Sequence, residues 1–323
     1  MLQCTAVITG NETFNLNVQT PIIIGTLPPA EYSISYHASL NDAQNDLNEI
    51  TNLTNFNPTS NPQTIYVRMI FNAVPDCYDV KSFDIIVGQT PVITTPANTL
   101  GCSSNPVTLD ASAGNLPTTT YLWSTGATTP SITISQLGVT NLTVTATNSY
   151  GVDFCSNTKD ITVTISEQPE IDQLVTVDWT EDDNSITVLT TNTGAFEYSL
   201  DDVVYKDSNV FSNLAPGFYT VYAKDKFGCG KTQQVIWILY YVRFFTPNGD
   251  GINETWRIKN SQFEQDLTVI IFDRYGKVIT SFGSDDQGWD GFYNGQQAIS
   301  DDYWFLVSRQ DGRTHRGHFA LKR

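Results

Sequence analysis

Positive charge is scarce along most of this chain. Residues 1–239 hold 7 Lys and Arg against 23 Asp and Glu, while residues 240–323 hold 10 against 11, for a formal net charge of −17. An acidic body repels nucleic-acid phosphates and anionic lipid headgroups, which argues against both as partners of that region, and its self-repulsion favours solubility. Long apolar runs are missing as well. The most apolar segment, Val235 to Phe245, falls short of the roughly 18 residues that a membrane-spanning helix needs. Met1 opens no signal peptide, because Leu2-Gln3-Cys4-Thr5 has neither a basic start nor an apolar stretch.

Chemistry-bearing residues are equally sparse. The 3 histidines, His37, His315 and His318, are too few and too separated for a zinc site, and no CxxC pair supplies thiolates. A nucleophile elbow, an HExxH helix, a P-loop and a dinucleotide fingerprint are all lacking. The acidic pairs Asp182-Asp183 and Asp201-Asp202 sit in turn-like polar segments where solvation explains them. A glycosidase dyad drawn from distant strands needs a cleft that small modules seldom provide. The expectation is a chain without a catalytic site.

What is present is β-structure. Thr, Asn, Ser and Val dominate, and alternating runs recur at Thr64–Met69, Asn141–Ala146 and Phe218–Ala223. Each run is followed by a short turn, a cysteine (Cys77, Cys155, Cys229) and a second apolar strand, at Phe83–Val87, Asp160–Ile165 and Gln234–Leu239. A repeat of this length, built from short strands, predicts an all-β fold of tandem immunoglobulin-like β-sandwich modules. Proline at Gln89-Thr90-Pro91 and Glu167-Gln168-Pro169 marks boundaries. The expected modules are 1–89 (whole or truncated at its start), 90–167 and 168–239, followed by a fourth domain at 240–323. Tyr36 to Asp46 reads as a connecting loop in which Asn41 could cap a single helical turn.

The order Cys102, Trp123, Cys155 is that of an immunoglobulin core, a tryptophan packed on a bridge between sheets. The same arithmetic in the first module pairs Cys4 with Cys77. Disulfides Cys4–Cys77 and Cys102–Cys155 are therefore expected, with Cys229 unpaired. In the chain-entropy model each contributes about 4 kcal/mol and implies an oxidising compartment.

From Tyr240 aromatics and Gly-Asp pairs crowd together: Phe244 to Trp256 (FFTPNGDGINETW), Val269 to Lys277, Gly288-Trp289-Asp290-Gly291, Asp301 to Phe305, and the closing Gly317-His318-Phe319-Ala320-Leu321-Lys322-Arg323. Physically this is a small β-sandwich of about seven strands, with Tyr275-Gly276-Lys277 as a hairpin turn and Asn294-Gly295 as a tight one. These segments resemble the type B C-terminal sorting domain of the type IX secretion system, also called the gliding motility-associated C-terminal domain, of Bacteroidota. Glu254 stands where that family usually has Asp. More weakly, Tyr36-His37, Asp42-Ala43 and Ile65–Arg68, and Glu197–Asp201 with Pro216–Tyr219, look like modules that precede such domains in surface proteins.

The resemblance implies a C-terminal sorting domain read by the type IX outer-membrane translocon. On the matching motifs it assigns that role to Phe245, Pro247, Asn248, Gly249, Asp250, Gly251, Trp289, Asp290, Gly291, Tyr303, Trp304, Gly317, His318, Phe319, Lys322 and Arg323. It further implies a secreted, outer-membrane-associated cell-surface adhesin, a PorP/SprF-like outer-membrane β-barrel as possible anchor, and a missing N-terminal region of the same polypeptide that carried the export peptide. Residues 1–239 would then serve as stalk. Alternatives are carbohydrate- or surface-binding modules, or the carrier of an N-terminal hydrolase outside this chain.

Two further readings concern ligands. Asn248, Asp250 and Asn253 could hold calcium, with Asp290, Asp301 and Asp302 near only if the fold brings them there. The roughly twelve-residue EF-hand register is missing, and an Asx turn bonding its own backbone is the stronger reading. The aromatics Tyr121, Trp123, Tyr198, Trp237, Trp256, Trp289 and Trp304 could form a sugar-stacking face, but their alternating positions favour core packing. Past Tyr303, Arg309, Arg313, Arg316, Lys322 and Arg323 are opposed only by Asp311, either as a solvated strand face or as a docking edge.

Overall fold

A computed structural model describes all of Met1–Arg323. The chain is all-β apart from short helical turns and divides into two compact units, 1–165 and 166–323. No helix is long and apolar enough to cross a membrane.

The first unit holds two hydrophobic cores. In the first, Leu2–Thr5, Tyr78–Gln89, Gln63–Phe71 and Tyr32–His37 lie side by side in that order. Alternation buries Ile65 and Val67 against Tyr36, Ile85, Val87, Phe14 and Leu16. The segment after Tyr36 is a helix, Leu40–Asn45, rather than the expected loop. Its cap is Ser39, whose hydroxyl accepts the Asp42 N–H at 3.1 Å, not Asn41. So short a helix needs tertiary support. Buried Arg68 supplies it by donating to Ala43 O and Gln44 O, each at 3.1 Å, while its guanidinium lies 3.5 Å above the Tyr78 ring. Fully buried His37 bonds Leu47 O at 2.7 Å and Ser35 Oγ at 2.9 Å. The Tyr36-His37 and Ile65–Arg68 signature is thus the fastening of this turn. A second helix, Thr20–Ile24, started by Pro21, had no counterpart in the sequence pattern.

The second core belongs to a sandwich. One sheet runs Asn98–Cys102, Asp153–Ser166, Gly138–Tyr150, Thr120–Trp123; the other pairs Val107–Asp110 with Ser131–Ile134. Leu142, Val144 and Ala146 point inward onto Trp123, which is 1% exposed and donates Nε1–H to Thr129 O at 2.9 Å. Thr145 turns outward and meets Thr158 across the hairpin at 2.9 Å.

Both expected disulfides are wrong. Cys4 bonds Cys155, with Cα atoms 5.7 Å apart, and Cys77 is a free, exposed thiol. The reason is strand length. Cys4 sits opposite Gly88, whereas Cys77 precedes the other end of Tyr78–Gln89. At about 3.4 Å per residue the two are some 35 Å apart, where a bridge allows about 7 Å. Cys102 fails to meet Cys155 for the same reason. Its neighbour Gly101 abuts Ile165, ten residues along the strand from Cys155. Cys102 and Cys229 are both disulfide-bonded, so Cys229 is not the unpaired thiol expected. Trp123 packs its core without a bridge beneath it.

In the second unit, Ile171–Val177, Asn184–Thr190 and Val210–Leu214 form one sheet, and Phe196–Ser199, Gly217–Asp225 and Lys231–Ile238 the other. This is the two-sheet immunoglobulin layout, closed over Leu174, Ile186, Val188, Phe211, Val221 and Ile238. The last domain is built on a five-stranded sheet in the order Phe244–Phe245, Thr314–Leu321, Asp301–Ser308, Thr268–Phe272, Val278–Gly283, with two-residue ladders beside it. Its turns fall where expected, with positive φ at Gly276, Gly288, Gly291, Asn294 and Gly295.

Candidate functional site

The opening and closing motifs of the last domain are one structure. Phe244–Phe245 lies parallel to the final strand, with Phe245 beside Leu321, and Lys322 N–H returns to Phe245 O at 3.1 Å. Phe245, Trp256, Trp289, Tyr303, Phe305 and Phe319 fill the core behind this pairing. Trp256 stacks on Phe319 with ring centroids 3.8 Å apart, and Trp289 meets Tyr303 edge-on at 4.7 Å. The two tryptophans exchange backbone hydrogen bonds of 2.9 Å. Their indole N–H groups reach Val242 O and Phe292 O, each at 2.8 Å. Each aromatic thus buries a large apolar body with its polar handle satisfied.

That packing dictates the glycines. A Cβ on Gly288, whose φ is +90°, would stand 2.4 Å from Trp256 O, and one on Gly317 would enter the Phe305 ring at 2.6 Å. Gly291 has φ +80° and is roofed by the last residue. Arg323 donates Nη2–H to Gly291 O at 2.9 Å and Nη1–H to Ala298 O. The C-terminal arginine therefore pins the Gly-Trp-Asp-Gly turn to the end of the sheet.

The structure divides the motif residues into two groups. Phe245, Trp289, Gly291, Tyr303 and Phe319 are buried, and Pro247 and Gly317 are half-buried. The buried ones shape the domain and offer no surface to a partner, while Pro247 and Gly317 are partly accessible. Asn248, Gly249, Asp250, Gly251, Asp290, Lys322 and Arg323 are exposed. Several of them line an open concavity of about 530 Å³ with Pro247, Glu254 and Phe292. Trp304 and His318 are also exposed, directly opposite each other on the outward sheet face. Trp256, Phe305 and Gly288 join the site although the motif reading does not single them out. Trp256 closes the FTPNGDG segment and was the available signal.

The Asn248–Asn253 loop is closed on itself. Asn248 donates Nδ2–H to Asp250 Oδ2 at 2.9 Å and accepts Asp250 N–H at 3.0 Å. Asp250 Oδ1 accepts Ile252 N–H at 2.7 Å, and Glu254 accepts Gly251 N–H at 3.0 Å. Asp290 accepts Phe292 N–H at 2.9 Å, and Asp301 is engaged by Arg274. The Asn248 amide, then the Ile252 N–H, hold the Asp250 carboxyl below the usual carboxylate range. A depressed folded value adds stability present above the unfolded pKa of about 3.9 and lost as pH falls through the folded one. In an NMR titration the Ile252 amide is expected to stay in place from pH 7 to about 4 and to move only below that. Millimolar calcium at pH 7 should leave it unmoved; a saturable shift would establish a cation site.

Of the seven aromatics considered for sugar stacking, Tyr121, Trp123, Tyr198, Trp256 and Trp289 are buried. Trp237 is sandwiched between Phe218 and Phe263, which leaves only Trp304 exposed, at 43%. No sugar-stacking row forms.

Comparison with known families agrees with both ends of the chain. Residues 239–321 match the CHU_C Type IX secretion signal domain, and residues 1–91 match FIDD, the Flavobacterium inter-domain disulphide bond domain. The second description suits the Cys4–Cys155 bond, which joins the first module to the second. Among solved structures, Sidekick-1 immunoglobulin domains 1–5 are 13% identical over 100% of this chain and 79% of that one, with a TM-score of 0.32. An I-band fragment from titin is 12% identical over 66% and 89%, with a TM-score of 0.32. The human desmocollin-1 ectodomain is 11% identical over 99% and 78%, with a TM-score of 0.25. No curated protein matches the chain. The chain carries a type IX secretion signal behind immunoglobulin-like modules, as a secreted cell-surface protein that engages the type IX machinery.

Proposed function

We propose that residues 240–323 act as export signal and surface anchor, and that residues 1–239 are a non-catalytic stalk displaying an N-terminal adhesive region of the same polypeptide. The observation that carries this reading is the convergence of the Asn248–Gly251 loop, Asp290 and Arg323 at one end of the last domain. There, buried aromatics and glycines hold an exposed polar surface in one shape. A surface held in one shape before binding costs little ordering entropy to recognise. On this reading the translocon takes the Asn248–Arg323 end, and an outer-membrane barrel of the PorP/SprF kind retains the exported protein.

The test is deletion of residues 240–323 from the protein in a bacterium with a type IX system, followed by protease treatment of intact cells. The truncated protein should be wholly protected in the periplasm while the full chain is digested. Digestion of both to the same extent would end the reading.

A further inference from the structure

We infer that the third module and the sorting domain are a single body, locked by an ion triad centred on Arg309 rather than joined as beads on a tether. The Arg309 side chain is 7% exposed, with Asp178 of the third module at 1% and Glu264 of the sorting domain at 17%. Arg309 grips Glu264 through two bonds, Nε to Oε1 at 2.6 Å and Nη2 to Oε2 at 2.7 Å, and donates Nη1–H to Asp178. The remaining capacity of Asp178 is filled by Thr176 Oγ at 2.8 Å and Leu239 N–H at 3.2 Å. Charges this deeply buried are tolerated only when paired and hydrogen-bonded. A sorting domain swinging free of its neighbour would leave both partners in water.

The rest of the junction agrees. Ile238 and Leu239 are fully buried, and no glycine or proline occurs between Lys231 and Thr246 to act as a hinge. Trp237 stacks on Phe263 at 3.6 Å, and Trp179 on His315 at 4.3 Å. Arg313 donates to Thr176 O at 2.6 Å. Trp179 holds φ at +86°, a conformation costly for a tryptophan, and its N–H reaches Leu239 O at 3.3 Å. Two of the basic residues left open between solvated face and docking edge are therefore docked, onto the chain's own preceding module. The covered hairpin at 309–313 and the motif end lie at opposite ends of strand Asp301–Ser308, about 27 Å apart at roughly 3.4 Å per residue. The lock covers one end and leaves the other open. It holds independently of how the domain is exported.

Hydrogen exchange on the full chain tests it without mutation first. The Trp179 and Leu239 amides lie at the junction, where Leu239 packs into the sorting domain's core and Trp179 against it, and they should be protected to the same degree as core amides such as Val269 and Val307. Arg309→Gln and Asp178→Asn should each speed exchange at Trp179 and Leu239 at least tenfold while Val269 and Val307 stay unchanged. Loop-like exchange at Trp179 and Leu239 in the native protein would overturn the inference. So would unchanged exchange in both variants, or equal acceleration at Val269 and Val307, which would assign Arg309 to the sorting domain's own fold.

Discussion

Trp256→Ala should lower the melting transition of the sorting domain by at least about 12 °C and abolish export of the chain. Removing a fully buried tryptophan costs about 3–5 kcal/mol. Here the indole is 0% exposed, stacks on Phe319 and packs against Phe305. The truncation also strands the Val242 carbonyl that accepts Nε1–H, and a buried acceptor left unpaired adds about 1–3 kcal/mol. Small domains hold only about 5–15 kcal/mol in total, and in one of this size each kcal/mol shifts the midpoint by about 4–8 °C. Calorimetry of the full chain gives the shift, and surface protease accessibility the export. Trp304→Ala is the control, because that ring is 43% exposed on the outward sheet face. It should leave the transition nearly in place, so a loss of export in that variant alone would mark the face as a recognition surface. An unchanged transition in Trp256→Ala would mean that the aromatic core does not hold the motif end together.

The sorting domain was legible because its motifs are dictated by packing that any such domain must repeat. Gly288, Gly291 and Gly317 are required by Trp256 O, Arg323 and Phe305, and a sequence pattern records requirements of that kind. Alternation likewise reported which residues of Thr64–Met69 and Asn141–Ala146 face inward, since burial on one side of a strand leaves a period of two. The helix at Leu40–Asn45 was not legible, because six residues, four of them polar, have no helical stability of their own and depend on Arg68 and His37 from neighbouring strands. The Arg309 lock was hidden for a related reason, as its partner Asp178 lies 131 residues away. The cysteines show a third kind of failure. The repeat places Cys77, Cys155 and Cys229 equivalently, each at or just before the start of its module's last strand. What repetition does not report is which neighbour that end of the strand abuts. For Cys155 it is the first module, where Gly88 leaves room for the sulfur that a Cβ at 2.7 Å would fill.

Replacing Cys4 and Cys155 together by serine should split the first unit's unfolding into two transitions, the earlier one, from the first module, about 10 °C or more below the native midpoint. The bond spans 151 residues, and the chain-entropy model assigns about 5 kcal/mol to a loop of that size. That figure applies only when everything inside the loop is unfolded. With the second module still folded the effect falls on the first, whose strand Leu2–Thr5 is held by four paired residues and by Cys4. A loss at the low end of the usual 2–5 kcal/mol for a native disulfide already gives a shift of that size. The junction itself should not fall apart. Gln89 N–H donates to Tyr150 OH at 2.7 Å, Asn148 donates to Gln89 O at 2.7 Å, and Asn157 donates to Pro91 O at 3.0 Å. These hold the linker against the second module with or without the bridge. Cys77→Ser, which removes an exposed free thiol, should leave both transitions in place. A single transition at the native midpoint in the double variant would mean that the linker clamp alone joins the modules and the bridge adds nothing to it. A large shift in Cys77→Ser would instead mean that the Cys77 thiol is not a free, exposed group.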